Sequence, residues 1–196
     1  MTATPNRFRK AVDQFDAINR EDPNRESFQG RTFPKELLYA QRMTACLERL
    51  APDASEALRL AARCQHIARW QIPRSNYPMN RLGYQQWRTT LNRFHSEKAG
   101  EILHALGYDE ETITRVQGFL LKKHLKHDPE MQLLEDVICL VFLESYFSGF
   151  AKNHDEEKMI PIIQKTWKKM SVCGQEAALQ LDLPPEDLAL IKKALS

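Results

Sequence analysis

Residues 137–143, Val137-Ile138-Cys139-Leu140-Val141-Phe142-Leu143, decide the fold. This is the longest apolar run in the chain, seven residues long. It falls far short of the ~18 residues that span a bilayer. A helix that is apolar on every face belongs inside a protein. Asp128-Pro129 supplies an N-cap followed by proline at the first helical position. The pattern therefore predicts a central buried helix near 131–151. Carboxylates bracket the run, Glu135-Asp136 before it and Glu144 after it. A carboxylate on a buried helix costs on the order of several kcal/mol unless it is paired, protonated or bound to a metal. Asp136 and Glu144 therefore enter as candidate metal ligands, and Glu144 also as a catalytic base.

Helical periodicity extends outward in both directions, and no strand-like alternation bounded by turns interrupts it. A first helix is expected from about Arg7 to Arg20, then a loop through Thr32. Pro34 opens a second helix, which Pro52 breaks. Asp53 followed by Glu56 reads as a capping box for a third, reaching about Trp70. The Pro-rich stretch Gln71–Gly83 reads as an ordered loop or a turn of 3₁₀ helix. A fourth helix runs to Gly107, and Asp109 caps a fifth. Shorter helices complete the chain, one starting at Pro184-Pro185-Glu186. The expectation is an all-α, single-domain helical bundle over 1–196, with a core at about 35–150 and C-terminal helices from 155 to 196 packed on it. Four dispersed cysteines, with no CxxC pair, read as buried reduced thiols. No apolar segment follows the basic N-terminus. A cytoplasmic protein without membrane contact is expected.

The net charge of +2 hides an uneven distribution. Between Arg59 and Lys98 eight basic residues stand against one acid, a local +7 that leaves −5 for the remainder. Such a block predicts an anion site. Its candidate contacts are Arg69, Arg74, Arg88 and Lys98, with Trp70 among the interleaved aromatics. Arginine matches phosphate geometry, and an aromatic ring stacks on a base or on a guanidinium. Two histidines lie on apolar stripes within the same block. His66 follows Leu58 and Ala62, and His95 lies between Leu91 and Ala99. Inward histidines together with inward carboxylates make divalent-metal sites in helical bundles. The candidate metal set is therefore His66, His95, Asp136 and Glu144, with His66 and Glu144 catalytic. His124 and His127 sit among lysines near a helix end and read as solvated.

The stretches Pro34–Tyr39, Gln65–Arg74, Phe94-His95, Leu134-Glu135-Asp136 and Lys165–Ser171 resemble a domain-of-unknown-function family of bacterial and fungal proteins. Its members are often labelled glutamyl-tRNA synthetase, and no nucleotide-binding α/β domain supports that label here. More distantly, Arg42-Met43 through His66-Ile67 and the helix around Phe94–Leu103 are similar to the HD superfamily of metal-dependent phosphohydrolases. Two positions depart from that superfamily's pattern. Tyr39 stands near its first histidine, and Gln65-His66 replaces its His-Asp doublet. The resemblance implies an HD-like bundle holding a divalent metal ion. It implies a phosphohydrolase acting on a phosphorylated small molecule or nucleotide. The alternative is a non-catalytic, degenerate HD-like module that binds a nucleotide or RNA through the basic pocket.

Overall fold

The run 137–143 lies within a helix, Pro129–Ser145, whose side chains at 131, 134, 137, 140, 141 and 143 are almost completely buried. The computed structural model describes residues 4–122 and 128–195, with side chains from residue 7 onward. The histidines at 124 and 127 lie outside the described residues. The elements in chain order are α1 (Thr4–Arg20), β1 (Arg25–Phe28), β2 (Arg31–Pro34), α2 (Lys35–Leu50), α3 (Glu56–Cys64), α4 (Arg81–Ala105), α5 (Glu110–Leu120), α6 (Pro129–Ser145), α7 (Phe147–Ala151), α8 (Glu156–Lys169), α9 (Val172–Leu179) and α10 (Pro185–Leu195). The fold is all-α and single-domain, with one small hairpin. Helix α6 packs against α2, α3, α7, α8 and α9. A second layer joins α3, α4 and α5, and α1 bridges α2 and α3. No helix among the described residues is long and apolar enough to cross a membrane.

Local chemistry accounts for the helix starts. Asp128 accepts from the backbone N–H groups of Glu130 and Met131, and Pro129 follows it. Asp109 accepts from Thr112 N–H, Ser55 from Leu58 N–H and Asn80 from Gly83 N–H. Each cap is worth about 1 kcal/mol. Helix α2 begins after Pro34, which has no capping side chain, so the cap comes from elsewhere. Buried Asp22 accepts from Glu36 N–H at 2.9 Å.

Three expectations are corrected. The loop at 21–32 contains a hairpin, whose two-residue turn Gln29-Gly30 has φ of 49° and 73°. Positive φ at both turn residues suits the right-handed twist of the strands. The polar, exposed strands lack the apolar alternation by which a half-buried strand is read. The third helix ends at Cys64 rather than near Trp70. The chain turns through Gln65–Ala68, and Ala68 adopts a left-handed conformation with φ of 52°. His66 is therefore not on the stripe of Leu58 and Ala62. Finally, Cys46, Cys64 and Cys139 are buried, but Cys173 is exposed.

Candidate functional site: a basic pocket around His66

The break after α3 builds the site. Asn19, buried on α1, accepts from Ala68 N–H at 3.1 Å and holds the turn. Arg69 then opens a 3₁₀ turn, Arg69–Gln71. Across from it lies the first turn of α2, carrying Lys35, Glu36 and Tyr39. Between them sits His66. Arg69 Nη1 lies 2.6 Å from His66 Nε2, and a guanidinium can only donate, so Nε2 is the acceptor. The imidazole proton is then on Nδ1, which faces Glu36 Oε2 at 3.2 Å. Glu36, His66 and Arg69 thus form a continuous carboxylate–imidazole–guanidinium chain, and Arg69 Nε is 3.8 Å from Glu36 Oε1.

The electrostatics agree with that tautomer. Burial, reinforced by the Arg69 and Arg88 charges, pushes His66 well below the usual histidine range, so the ring is neutral. Burial raises the Glu36 carboxyl, and Arg69 and Lys35 offset part of that rise. Tyr39 stacks on His66 with ring centres 4.0 Å apart and donates its hydroxyl to Gln65 Oε1 at 2.9 Å. Behind His66, at 5.9 Å between ring centres, lies His95. Its Nδ1–H donates to the Ile67 carbonyl at 2.8 Å, while buried Nε2 has no partner among the described residues. Burial depresses His95 to about 3.

These residues line a cavity of about 570 Å³. One wall is the face of α6 that carries Glu135, Ile138, Cys139 and Phe142, at i, i+3, i+4 and i+7. This explains why 137–143 is apolar all round: one side faces the core and the other faces the pocket. Arg69 packs its guanidinium 4.8 Å from the Trp87 ring centre, and Trp87 Nε1 donates to the Ile72 carbonyl at 2.8 Å. Arg88 follows on α4. Lys122, from the end of α5, and Lys169, from the end of α8, both reach Glu135, at 2.6 Å and 3.5 Å. Burial alone would raise Glu135, but the two lysines outweigh it and hold it below its usual range. Five cations and two carboxylates therefore share the lining. A larger depression of about 970 Å³ lies beside α5, but its lining has two bases against five acids. Its Arg115 is already bound to Asp128 and Glu130.

Two pocket cations owe their place to rarely used backbone conformations. Ala68, φ 52°, precedes Arg69, and Lys122 itself has φ of 56°. Apart from Gln29 in the hairpin, these are the non-glycine residues with positive φ among the described residues. Such outliers persist where the surrounding structure enforces them, and they concentrate at functional sites.

A family model matches residues 9–191 of the chain. The chain belongs to DUF4202, a domain of unknown function. No curated protein and no solved structure matches it significantly. The DUF4202 match spans every pocket residue from Lys35 to Lys169.

In this DUF4202 protein the tertiary structure brings together His66, Arg69 and Arg88, with His95 directly behind. It does not bring the rest of the expected set. Asp136 points away, accepting from Ser171 N–H and Oγ at 2.8 and 2.5 Å. Glu144 is exposed and pairs with Arg49 at 3.0 Å. Both His66 nitrogens are engaged. The four expected metal ligands therefore do not converge. Among the described residues no group of three His, Cys, Asp or Glu side chains is placed to hold a metal ion. Arg74 is spent on the loop carbonyls of Tyr77, Pro78 and Asn80. Trp70 packs on the core, its expected place taken by Trp87, and Lys98 lies outside the pocket. Lys35, Glu36, Lys122 and Lys169 were not legible as site residues. They come from three separate segments, and a lysine or glutamate at a helix end reads as ordinary solvated charge.

Proposed function

We propose that this pocket binds a phosphorylated small molecule or nucleotide, its anionic group taken by Arg69, Arg88 and Lys35. The observation that carries this is the charge of the lining, five cations against two carboxylates around a neutral histidine. Arg88 is half-buried there and has no carboxylate partner among the described residues. A desolvated guanidinium without a counter-ion is unfavourable alone and becomes favourable when an anion arrives. The cavity volume falls in the range of about 300–1,000 Å³ common for small-molecule sites, and Tyr39, Phe142, Tyr146 and Phe150 offer it an apolar wall.

The distant likeness to HD phosphohydrolases supports a phosphate-bearing ligand, while its departures weigh towards binding without a metal-dependent step. Tyr39 and Gln65 stand at the two departing positions, and they satisfy each other as a neutral hydrogen-bonded pair. The carboxylates meant to complete a metal site lie elsewhere. RNA is the weaker partner. Arg63, Arg74 and Arg93 of the basic block are bound to Asp16, to loop carbonyls and to Glu97, so the block does not form a stripe along which a strand would lie.

The test is calorimetry and thermal-shift screening of the full chain against phosphate, sugar phosphates and nucleoside phosphates, with product analysis in the presence of Mg²⁺ or Mn²⁺. At least one phosphorylated compound is expected to bind, and Arg69→Ala to weaken it by about 10- to 100-fold, the value of a charge-assisted bidentate contact. A screen in which nothing phosphorylated binds overturns the reading.

A further inference from the structure

The pocket's cations fall into two groups, each already holding one carboxylate. Lys35 and Arg69 lie beside Glu36, with Arg88 on the same side of the lining and without a carboxylate of its own. Lys122 and Lys169 surround Glu135 on the α6 wall. Five cations against two carboxylates leave three positive charges unbalanced, two in the first group and one in the second. A single phosphoryl group at Arg69 and Arg88 balances the first group only. The second group is not a surface pair. The Glu135 side chain is 3% exposed and Lys122 is 20% exposed, whereas Lys169 is 59% exposed at the mouth. Burying a carboxylate to gather two ammonium groups is costly, and the cost is partly recovered where the surplus charge meets an anion. From a left-handed backbone position, Lys122 reaches buried Glu135 at 2.6 Å. Both groups line the same cavity of about 570 Å³, so one small molecule can reach both.

Resting on the anion-pocket reading, we infer that the ligand carries two phosphoryl groups, the first on Arg69 and Arg88 and the second on Lys122 and Lys169. The two groups are either joined as a diphosphate or carried at separate positions of one molecule. The apolar side chains Ile138, Phe142 and Phe150 beside the second group receive the body of the ligand.

A matched series separates these cases. Phosphate, pyrophosphate, adenosine 5′-monophosphate, adenosine 5′-diphosphate and adenosine 3′,5′-bisphosphate are titrated into the full chain by calorimetry. At least one two-phosphoryl compound is expected to bind about 10-fold or more tightly than its one-phosphoryl counterpart, one additional charge-assisted contact. Preference for the diphosphate identifies a joined pair, and preference for the bisphosphate a separated pair. Lys169→Gln, at an exposed position that tolerates change, is expected to bring that ratio close to one. The double variant Lys122→Gln/Glu135→Gln removes a buried pair together and leaves no charge stranded, and it should do the same. Equal affinities across the series, or a preference that survives both variants, overturn the two-phosphoryl inference and leave the anion pocket standing. If none of the five compounds binds, the two-phosphoryl inference falls, and the anion pocket is decided by the wider screen of phosphorylated compounds.

Discussion

Arg69 shows how one side chain serves three neighbours. It donates to His66, lies against Glu36 and packs on Trp87. That placement fixes the His66 tautomer without any metal or catalytic partner. His95 carries a consequence for acid stability. Its folded-state pKa is depressed from 6.5 to about 3. The unfolded chain takes up this proton as the pH falls through about 6.5, whereas the folded chain excludes it until about 3. Stability therefore declines with falling pH across that window, and His66 acts in the same direction. His95→Asn is expected to reduce the slope between pH 6 and 5 by up to ~1.4 kcal/mol per pH unit. Denaturant titrations over that range measure it, and an unchanged slope contradicts the assignment of a buried neutral His95.

At the level of elements, the decisive event is the end of α3 at Cys64. The stripe Leu58, Ala62, His66 is a correct helical reading of residue spacing, yet the helix ends before its last member. Asn19 on α1 and the left-handed Ala68 stabilise the turn instead. No local signal announces this, because the residue that holds the turn lies 49 positions away. The caps at Asp109 and Asp128 were legible, since an aspartate hydrogen-bonds to N–H groups two or three residues on. Asp136 is the opposite case. Its position in the sequence, as a buried acid, suits a metal ligand, yet it is buried because it ties α6 to the start of α9 through Ser171. Asp136→Ala is expected to cost about 2–4 kcal/mol in unfolding measurements, from stranded donors and a lost charged hydrogen bond. It should leave ligand affinity within about twofold, since well-separated sites contribute nearly independently. Loss of binding in a folded Asp136→Ala protein would return this residue to the functional site.

For the whole molecule, the pocket joins the first turn of α2, the turn after α3, and α4, α5, α6 and α8, so occupancy should hold the bundle together. A ligand at ~100 times its Kd contributes about 2.7 kcal/mol, which for a chain of this length raises Tm by about 5–10 °C. The same charge surplus makes affinity salt-dependent. Raising NaCl from 50 to 500 mM is expected to weaken binding about tenfold, as the Debye length shrinks to a few ångströms. Isothermal calorimetry at both salts checks this, and salt-independent affinity would mean that apolar contacts dominate.

The amino-acid sequence by itself determined the all-α class, a central buried helix near 131–151 (the structure ends it at Ser145 and starts a short α7 at Phe147), most helix boundaries and the presence of surplus positive charge near His66. Those properties depend on spacing along one element or on caps reaching two or three residues. Only the tertiary structure decided which charges meet. Of the eight basic residues in the block, it brings Arg69 and Arg88 to the pocket and commits Arg63, Arg74 and Arg93 to bonds elsewhere. It completes the site with Lys35, Lys122 and Lys169, and it turns Asp136 and Glu144 away. The physical reason is that helical periodicity is a local property of the chain, whereas a pocket is formed by side chains distant in sequence, and their convergence is set by how the helices pack.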